Sequence, residues 1–374
     1  MPPAREPSAG VSDPLLATPR SAIENLAWPA LLTEGNARQL ALQFQLDESQ
    51  WWSAEDLRAW QFRQLSRLVA HAVKTVPYYR SRLEGIPDLG ARDLEPALWA
   101  RLPVLDRRAV QANLEALTSS ASPPPHGAVT TWTAGPPAAE PVQFRTNEMV
   151  RFYENAFALR EEIWRRRQWR AKRASIAPEP AGLARYPEGR RESDWGGLLA
   201  SLYETGPAVY LDDGTALADQ AHWLLREAPA YLTTGAGNAV ALARHFRAAG
   251  LDLPSLKGVA VTGAALTSEG RSECRAAWHV EPAEIYSADE IGPIALQCPA
   301  EPALHVQSEA VLLEVLDAAG QPCAPGTPGR VVVTPLHNFS MPLLRYALGD
   351  LAAWGPPCPC GRGLPVLSRI PARQ

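Results

Sequence analysis

The chain has 374 residues, too many for one small module. Of these 46% are hydrophobic and 20% charged, so a sizeable core is available and wholesale disorder is excluded. A formal net charge of −4 argues against nucleic acid or an anionic membrane as the main partner. Three of the 36 basic residues are lysines (Lys74, Lys172 and Lys257), so any chemistry that needs a lysine is easy to locate.

Met1 to Arg20 is polar and Pro-rich, with no apolar stretch like that of a signal peptide. No run reaches the roughly 18–20 apolar residues of a membrane helix. Five cysteines are an odd number in a long chain and do not suggest a secreted disulfide framework. A reducing, cytoplasmic setting is expected.

Residues 1–50 read as a loosely ordered lead with a short helix near Ser21–Leu32. From Ser53 to Leu83 the apolar residues Leu57, Trp60, Leu65, Leu68, Val69, Ala72 and Val73 recur at helical spacing. That helix is expected to end near Val76-Pro77, because the residue before a proline resists the α region. Ser119–Pro125 reads as a linker, and Asn147–Arg167 as a second long helix. Its basic end, Trp164–Arg173, reads either as a phosphate-binding run or as a solvated face at a helix C-terminus.

From Pro207 the texture is α/β. Strands at Ala208–Leu211, Ala230–Thr233 and Gly258–Thr262 alternate with helices at Leu217–Arg226, Asn238–Ala249 and Ser268–Trp278. This predicts a parallel sheet flanked by helices. After Ile294 the helices stop, and Ala310–Leu316, Gly329–Thr334 and Leu343–Tyr346 read as strands of a β-rich subdomain. The expected organisation is a lead at 1–50, a helical part at 51–125, an α/β core at 126–293 and a β-rich subdomain at 294–374.

Cys298, His305, Cys358 and Cys360 are spaced Cys-x6-His, then 52 residues, then Cys-x-Cys. Zinc favours four-coordinate thiolate and imidazole sites, and four protein ligands leave no open position, so the expectation is a structural zinc. The alternative is three unconnected thiols and a surface histidine. Cys274 and Cys323 follow no such pattern. Tyr286–Gly292 follows a strand at Ala283–Ile285, where an aromatic ring and a glutamate could serve a base and a metal ion; otherwise it is an acidic structural loop. Asp350 could accept hydrogen bonds from paired hydroxyls such as those of a ribose, or form an Asx turn.

Together these pieces resemble the phenylacetate-CoA ligase family of adenylate-forming enzymes. The resemblance starts at Leu65–Tyr79, continues through Leu102–Asp106 and Tyr231–His245, and is strongest from Leu256 to Ile370. It covers roughly residues 55–370. It implies an α/β large domain with parallel sheets and a β-rich subdomain. It also implies an acid–thiol ligase, in which ATP with Mg and a carboxylic acid form an acyl-adenylate and a thiol such as CoA displaces AMP. Tyr286 would stack on adenine, Glu290 would help hold magnesium, Asp350 would bind the ribose and Arg369 would lie beside the nucleotide. Thr133 and Gly135 would belong to the phosphate loop. The acid would lie near Trp195, Tyr231, Gly235, Gly263 and Ala264.

Three departures accompany the resemblance. The phosphate loop Thr133–Pro141 carries Pro136 and Pro137 where the family has threonines, which removes both hydroxyls and backbone donors. Thr262–Ala265 lacks the family's acidic residue. The sequence stops at Gln374, at the family's hinge, so the small C-terminal lid with its lysine is expected to be absent from this chain. A lid domain or carrier protein from another chain, and a homodimer, are therefore partners to consider beside the acid. The alternatives are a catalytically degenerate binding or scaffold homologue, and an acyl transferase that takes a preformed activated acyl group, with Cys274 or Cys323 as candidate acceptors.

Overall fold

The computed structural model describes residues 18–83, 94–124, 126–127, 129–134, 142–180, 182–263 and 265–368, with the backbone alone at 132–134. The chain forms two compact units. The first comprises residues 1–41, 159–263 and 268–283; the second comprises 42–158, 264–267 and 284–374.

The first unit is built on parallel strands in the order Gly258–Thr262, Tyr231–Gly235, Arg173–Ala177 and Ala208–Asp212. Arg190–Glu192 adds an antiparallel edge. The helices Leu217–Glu227, Ala236–Ala248 and Ser268–Trp278 alternate with these strands, as the texture from Pro207 onward predicts. Trp223, Leu224, Leu242 and Phe246 are fully buried on the helix side. The strand Arg173–Ala177 is central, yet in the sequence it is hidden behind the basic run that precedes it. No helix forms at Ser21–Leu32; the first helix among the described residues is Glu34–Ser49.

The second unit is an antiparallel sheet. Its order is Val311–Leu316, Gly329–Pro335, Tyr346–Trp354, Val366–Ser368, Leu304–Val306, Gly292–Gln297, then the strand Ala283–Ala288 from Glu284 onward. Thr130–Ala134 and Val142–Thr146 form a separate antiparallel pair. The strand expected at Leu343–Tyr346 is displaced: it begins at Tyr346, because Leu343 and Leu344 are core residues of the preceding turn.

The helix Ala54–Thr75 lies in this unit. Ser53 caps it by accepting from the Asp56 N–H at 3.0 Å, and Val76, extended at φ −107° before Pro77, ends it. Its face of Leu65, Leu68, Val69 and Ala72 is completely buried, at about 1.5–3 kcal/mol for each large apolar side chain. The following helix Pro77–Arg82 carries Tyr79, whose hydroxyl donates to the Pro342 carbonyl at 2.8 Å and accepts from the Leu344 N–H at 3.0 Å. The helical motif is thereby fastened to the segment that leads into Tyr346. Among the described residues no helix is long and apolar enough to cross a membrane.

Candidate functional site

Three distant stretches of the second unit meet around Tyr286, Glu290 and Asp350. Tyr286 stands on the strand Ala283–Ala288, whose pairing with Gly292–Gln297 shifts register between Tyr286 and Ser287. Asp350 stands in the strand Tyr346–Trp354, directly after Gly349, whose φ of +84° favours glycine. The Tyr286 hydroxyl donates to Asp350 Oδ2 at 2.9 Å. Tyr346, fully buried at the head of the same strand, donates its hydroxyl to Glu290 Oε1 at 3.0 Å. The phenol is held protonated: burial first, then the Glu290 carboxylate, pushes it above the ordinary tyrosine range.

Gly292 closes the Tyr286–Gly292 segment with φ +84°, and a Cβ there would meet the Glu154 carboxylate at 3.0 Å. Burial raises the Glu154 carboxyl above its usual value. Thr133 is on the strand Thr130–Ala134, in backbone register with Gln143. Gly135, Ala264 and Arg369 lie outside the described residues.

The residues assigned to the acid fall into two kinds. Gly235 and Gly263 end adjacent parallel strands, with Gly235 in register with Thr262. A Cβ at either glycine would meet nothing within 4 Å, so the backbone there is open to a ligand beyond the carboxyl ends of the strands. Trp195 and Tyr231, by contrast, are buried in the core of the first unit. Their rings pack edge to face at 5.7 Å; Trp195 Nε1 donates to the Ala171 carbonyl, and the Tyr231 hydroxyl accepts from the Gln168 N–H.

The Cys/His residues do come together, in the second unit. Cys298 follows the strand Gly292–Gln297, His305 is on Leu304–Val306, and Cys358 and Cys360 occupy the turn before Val366–Ser368. Their ligand atoms all lie within 4.8 Å of one another. Cys298 Sγ and Cys358 Sγ are 3.7 Å apart, and Cys360 Sγ is 3.4 Å from His305 Nε2. A zinc tetrahedron with ligands about 2.0–2.3 Å from the ion has edges of about 3.3–3.8 Å, which these two pairs match, and the chemistry of the four donors suits zinc. His305 Nδ1 faces the Leu364 carbonyl at 3.2 Å. A carbonyl only accepts, so Nδ1 carries the proton and Nε2 presents its lone pair to the cluster.

This turn is also locked to the connection before Ala54–Thr75. The Gly363 N–H donates to the Gln50 carbonyl at 2.9 Å, and Arg362 Nε donates to Gln50 Oε1 at 2.8 Å. The Arg362 guanidinium lies 5.0 Å over the Trp51 ring. Gly363 lies so close to the Trp52 carbonyl that no side chain would fit there.

No protein-family model matches the chain. The phenylacetate-coenzyme A ligase of Thermus thermophilus is 28% identical to it over 322 residues, which are 82% of this chain and 68% of that protein. The chain is thus similar to a phenylacetate-coenzyme A ligase over most of its length. Its fold is that of the adenylate-forming enzymes. The solved structure of a 2-hydroxyisobutyryl-CoA ligase in the postadenylation state, in complex with R3-HIB-AMP, superposes with a TM-score of 0.67 at 20% identity. That match covers 87% of this chain and 70% of the other. An open conformation of 2-hydroxyisobutyryl-CoA ligase, in complex with 2-HIB-AMP and CoA, gives a TM-score of 0.62 at 18% identity, over 83% and 74% of the two chains.

The basic run is split: Arg166 and Arg170 are exposed, as a solvated face would have them, whereas Arg165 and Arg167 are held in ion pairs. Arg167 bonds Glu161 at 3.0 Å and Glu162 at 2.8 Å, and Arg165 reaches Glu161 at 3.3 Å, with these side chains largely buried. The sequence shows the arginines, but their acidic partners one helical turn earlier decide the outcome. Cys274 is fully buried, and burial pushes its thiol up to about 11, which suits a core residue rather than an acyl acceptor. Two polar residues escaped the sequence reading: Tyr346, which ends the expected strand Leu343–Tyr346, and Arg107, which follows Leu102–Asp106.

Proposed function

We propose that the chain is an AMP-forming acid–thiol ligase that activates an aromatic or other hydrophobic carboxylic acid and passes the acyl group to a thiol such as CoA. The observation that carries this reading is the joining of Tyr286 to Asp350, with Glu290 held nearby on Tyr346, in a phenylacetate-CoA ligase-like chain. In the first step a carboxylate oxygen attacks the α-phosphorus of ATP, the bond to the β-phosphate oxygen breaks, and pyrophosphate leaves. In the second the thiol sulfur attacks the acyl carbon, AMP leaves with the bonding electrons, and the thiol proton goes to solvent.

Such a reaction needs positioning and charge neutralisation more than covalent help from the protein. Tyr286 provides a ring for adenine, and Asp350 accepts from the ribose hydroxyls. Magnesium, when bound, neutralises charge on the phosphates, and Glu290 would hold it. Thr133, Gly135 and Arg369 complete the nucleotide contacts. The acid lies against the open backbone of Gly235 and Gly263, next to Ala264, with the buried Trp195 and Tyr231 in the core behind.

Acid-dependent ATP–pyrophosphate exchange over a panel of aryl and acyl acids tests this reading. Exchange is expected for at least one hydrophobic acid and is lost in Asp350→Ala. No exchange for any acid, with or without an added lid domain or carrier protein, overturns it. One observation favours a second reading, nucleotide or acyl-nucleotide binding without turnover: Pro136 and Pro137 stand where phosphate-loop donors are needed. Tight ATP binding with no exchange would select it.

The same proposal includes a structural zinc on Cys298, His305, Cys358 and Cys360. Four protein donors fill a tetrahedron, so this metal would fasten the fold rather than meet substrate.

A further inference from the structure

We infer that Tyr346 and Arg107 are positioning residues for Glu290, forming a three-residue relay that fixes how this carboxylate meets a magnesium–nucleotide complex. The inference rests on the ligase reading above and adds to it the residues that hold its metal-facing group.

The relay is built by backbone pairing of two sequence-distant segments. The Leu105 N–H donates to the Arg345 carbonyl at 2.9 Å, and the Ala347 N–H donates to the Leu105 carbonyl at 2.8 Å. Leu105 and Tyr346 thus form a parallel bridge, outside the regular strands. Asp106 then caps the helix Arg107–Ala112 by accepting from the Ala109 N–H at 2.7 Å. Arg107 is therefore delivered beside Tyr346 by the motif Leu102–Asp106, to which the ligase reading gives no role of its own.

Arg345 pins the same junction from the other side. Its guanidinium pairs with Glu314 at 3.1 Å and donates to the Ala100 carbonyl at 2.8 Å and the Leu102 carbonyl at 2.5 Å. Phe144 lies edge-on to the Tyr346 ring at 6.3 Å. With backbone bonds before and after it and a ring packed on its face, Tyr346 has little freedom to move.

The polarity of the relay follows from donor inventory. Arg107 can only donate, so where it hydrogen-bonds the Tyr346 hydroxyl the tyrosine oxygen accepts. The tyrosine proton is thereby directed to Glu290 Oε1, the 3.0 Å contact. Among the described residues no other hydrogen bond to this carboxylate is seen, which leaves Oε2 for a hard cation. Magnesium is usually bound through one or two carboxylates with phosphate and water completing its shell, so the arrangement fits the ion. Outer partners of a metal-binding group commonly govern affinity by about 10–100-fold.

The test is calorimetric titration of the full chain with a non-hydrolysable ATP analogue, once with magnesium and once with EDTA. In the wild type, magnesium should tighten binding. Tyr346→Phe keeps the buried ring but removes the donor. It is expected to lose about tenfold or more of the magnesium-linked gain while leaving binding in EDTA and the melting temperature essentially unchanged. Arg107→Gln should act in the same direction and Arg107→Lys should restore part of the gain, which gives a second measurement if Tyr346→Phe folds poorly. Retention of the full gain in both Tyr346→Phe and Arg107→Gln overturns the relay, as does an equal loss with and without magnesium. A wild type that binds the analogue with no magnesium-linked gain also overturns it. A wild type that binds no nucleotide at all instead overturns the ligase reading, and the relay with it.

Discussion

The hydroxyl of Tyr286 and the carboxylate of Asp350, 64 residues apart, are hydrogen-bonded at 2.9 Å. The group proposed to receive adenine and the group proposed to receive ribose thus hold each other before a nucleotide arrives. A net contribution of about 0.5–1.5 kcal/mol is typical for such a bond. Ribose hydroxyls would compete with the phenol for Asp350, so Tyr286→Phe should bind ATP as well as the wild type or slightly better. Asp350→Ala should lose at least about tenfold, roughly 1.4 kcal/mol. Equilibrium titration with a fluorescent adenine nucleotide checks both.

The Cys/His cluster predicts about one zinc ion per purified chain, measured by atomic emission. Cys358→Ser and Cys298→Ser should abolish it and lower the melting temperature, because binding energy at a structural site is folding energy. Cys274→Ser should leave zinc content unchanged.

His337 is partly buried, and its ring stacks on Tyr153 at 4.0 Å while Nε2 donates to the Glu309 carbonyl. Burial depresses its pKa to about 4, although the Glu309 bond acts upward; His126 nearby adds to the depression. A free histidine titrates near 6.5, so between about pH 6.5 and 4 the unfolded chain binds a proton that the folded chain refuses. Stability should therefore fall as pH drops through that window, by up to roughly 3 kcal/mol from this one group. Urea unfolding at pH 7.0, 5.5 and 4.5 should show a shallower slope for His337→Gln.

Arg345 is nearly inaccessible and satisfies Glu314 together with two backbone carbonyls. A lysine keeps the charge but loses the fork. Arg345→Lys should therefore cost about 3 kcal/mol in urea denaturation, much of it from the partly buried Glu314 left short of donors.

Iodoacetamide offers a test of the acyl-transfer alternative. Cys274, with its thiol pushed up by burial, should stay unmodified in the native protein and react only on unfolding. Rapid native labelling would reopen that role.

The gathering of the Cys/His cluster was legible because its donor types and the Cys-x-Cys turn stand out in the sequence regardless of the surrounding fold. The helix Ala54–Thr75 and the strands after Pro207 were legible because apolar periodicity and Val76-Pro77 speak locally. The helix Glu34–Ser49 was not, since it buries Gln39 and Gln43 where a leucine would have marked the inner face. The strand at Tyr346–Trp354 was misplaced because its interior carries Gly349 and Asp350, poor strand formers, while the apolar run before it belongs to a turn. The contact of Tyr346 with Glu290 depends on where separate strands place their ends, which no local pattern encodes.

The close approach of Gly363 to the Trp52 carbonyl has an optical consequence. The turn that carries Cys358 and Cys360 and the turn that carries Trp51 and Trp52 are mechanically one piece, and Trp51 is 44% exposed beneath the Arg362 guanidinium. Release of the cluster's metal should thus alter the emission of indoles that never touch it, making the protein its own reporter of metal occupancy.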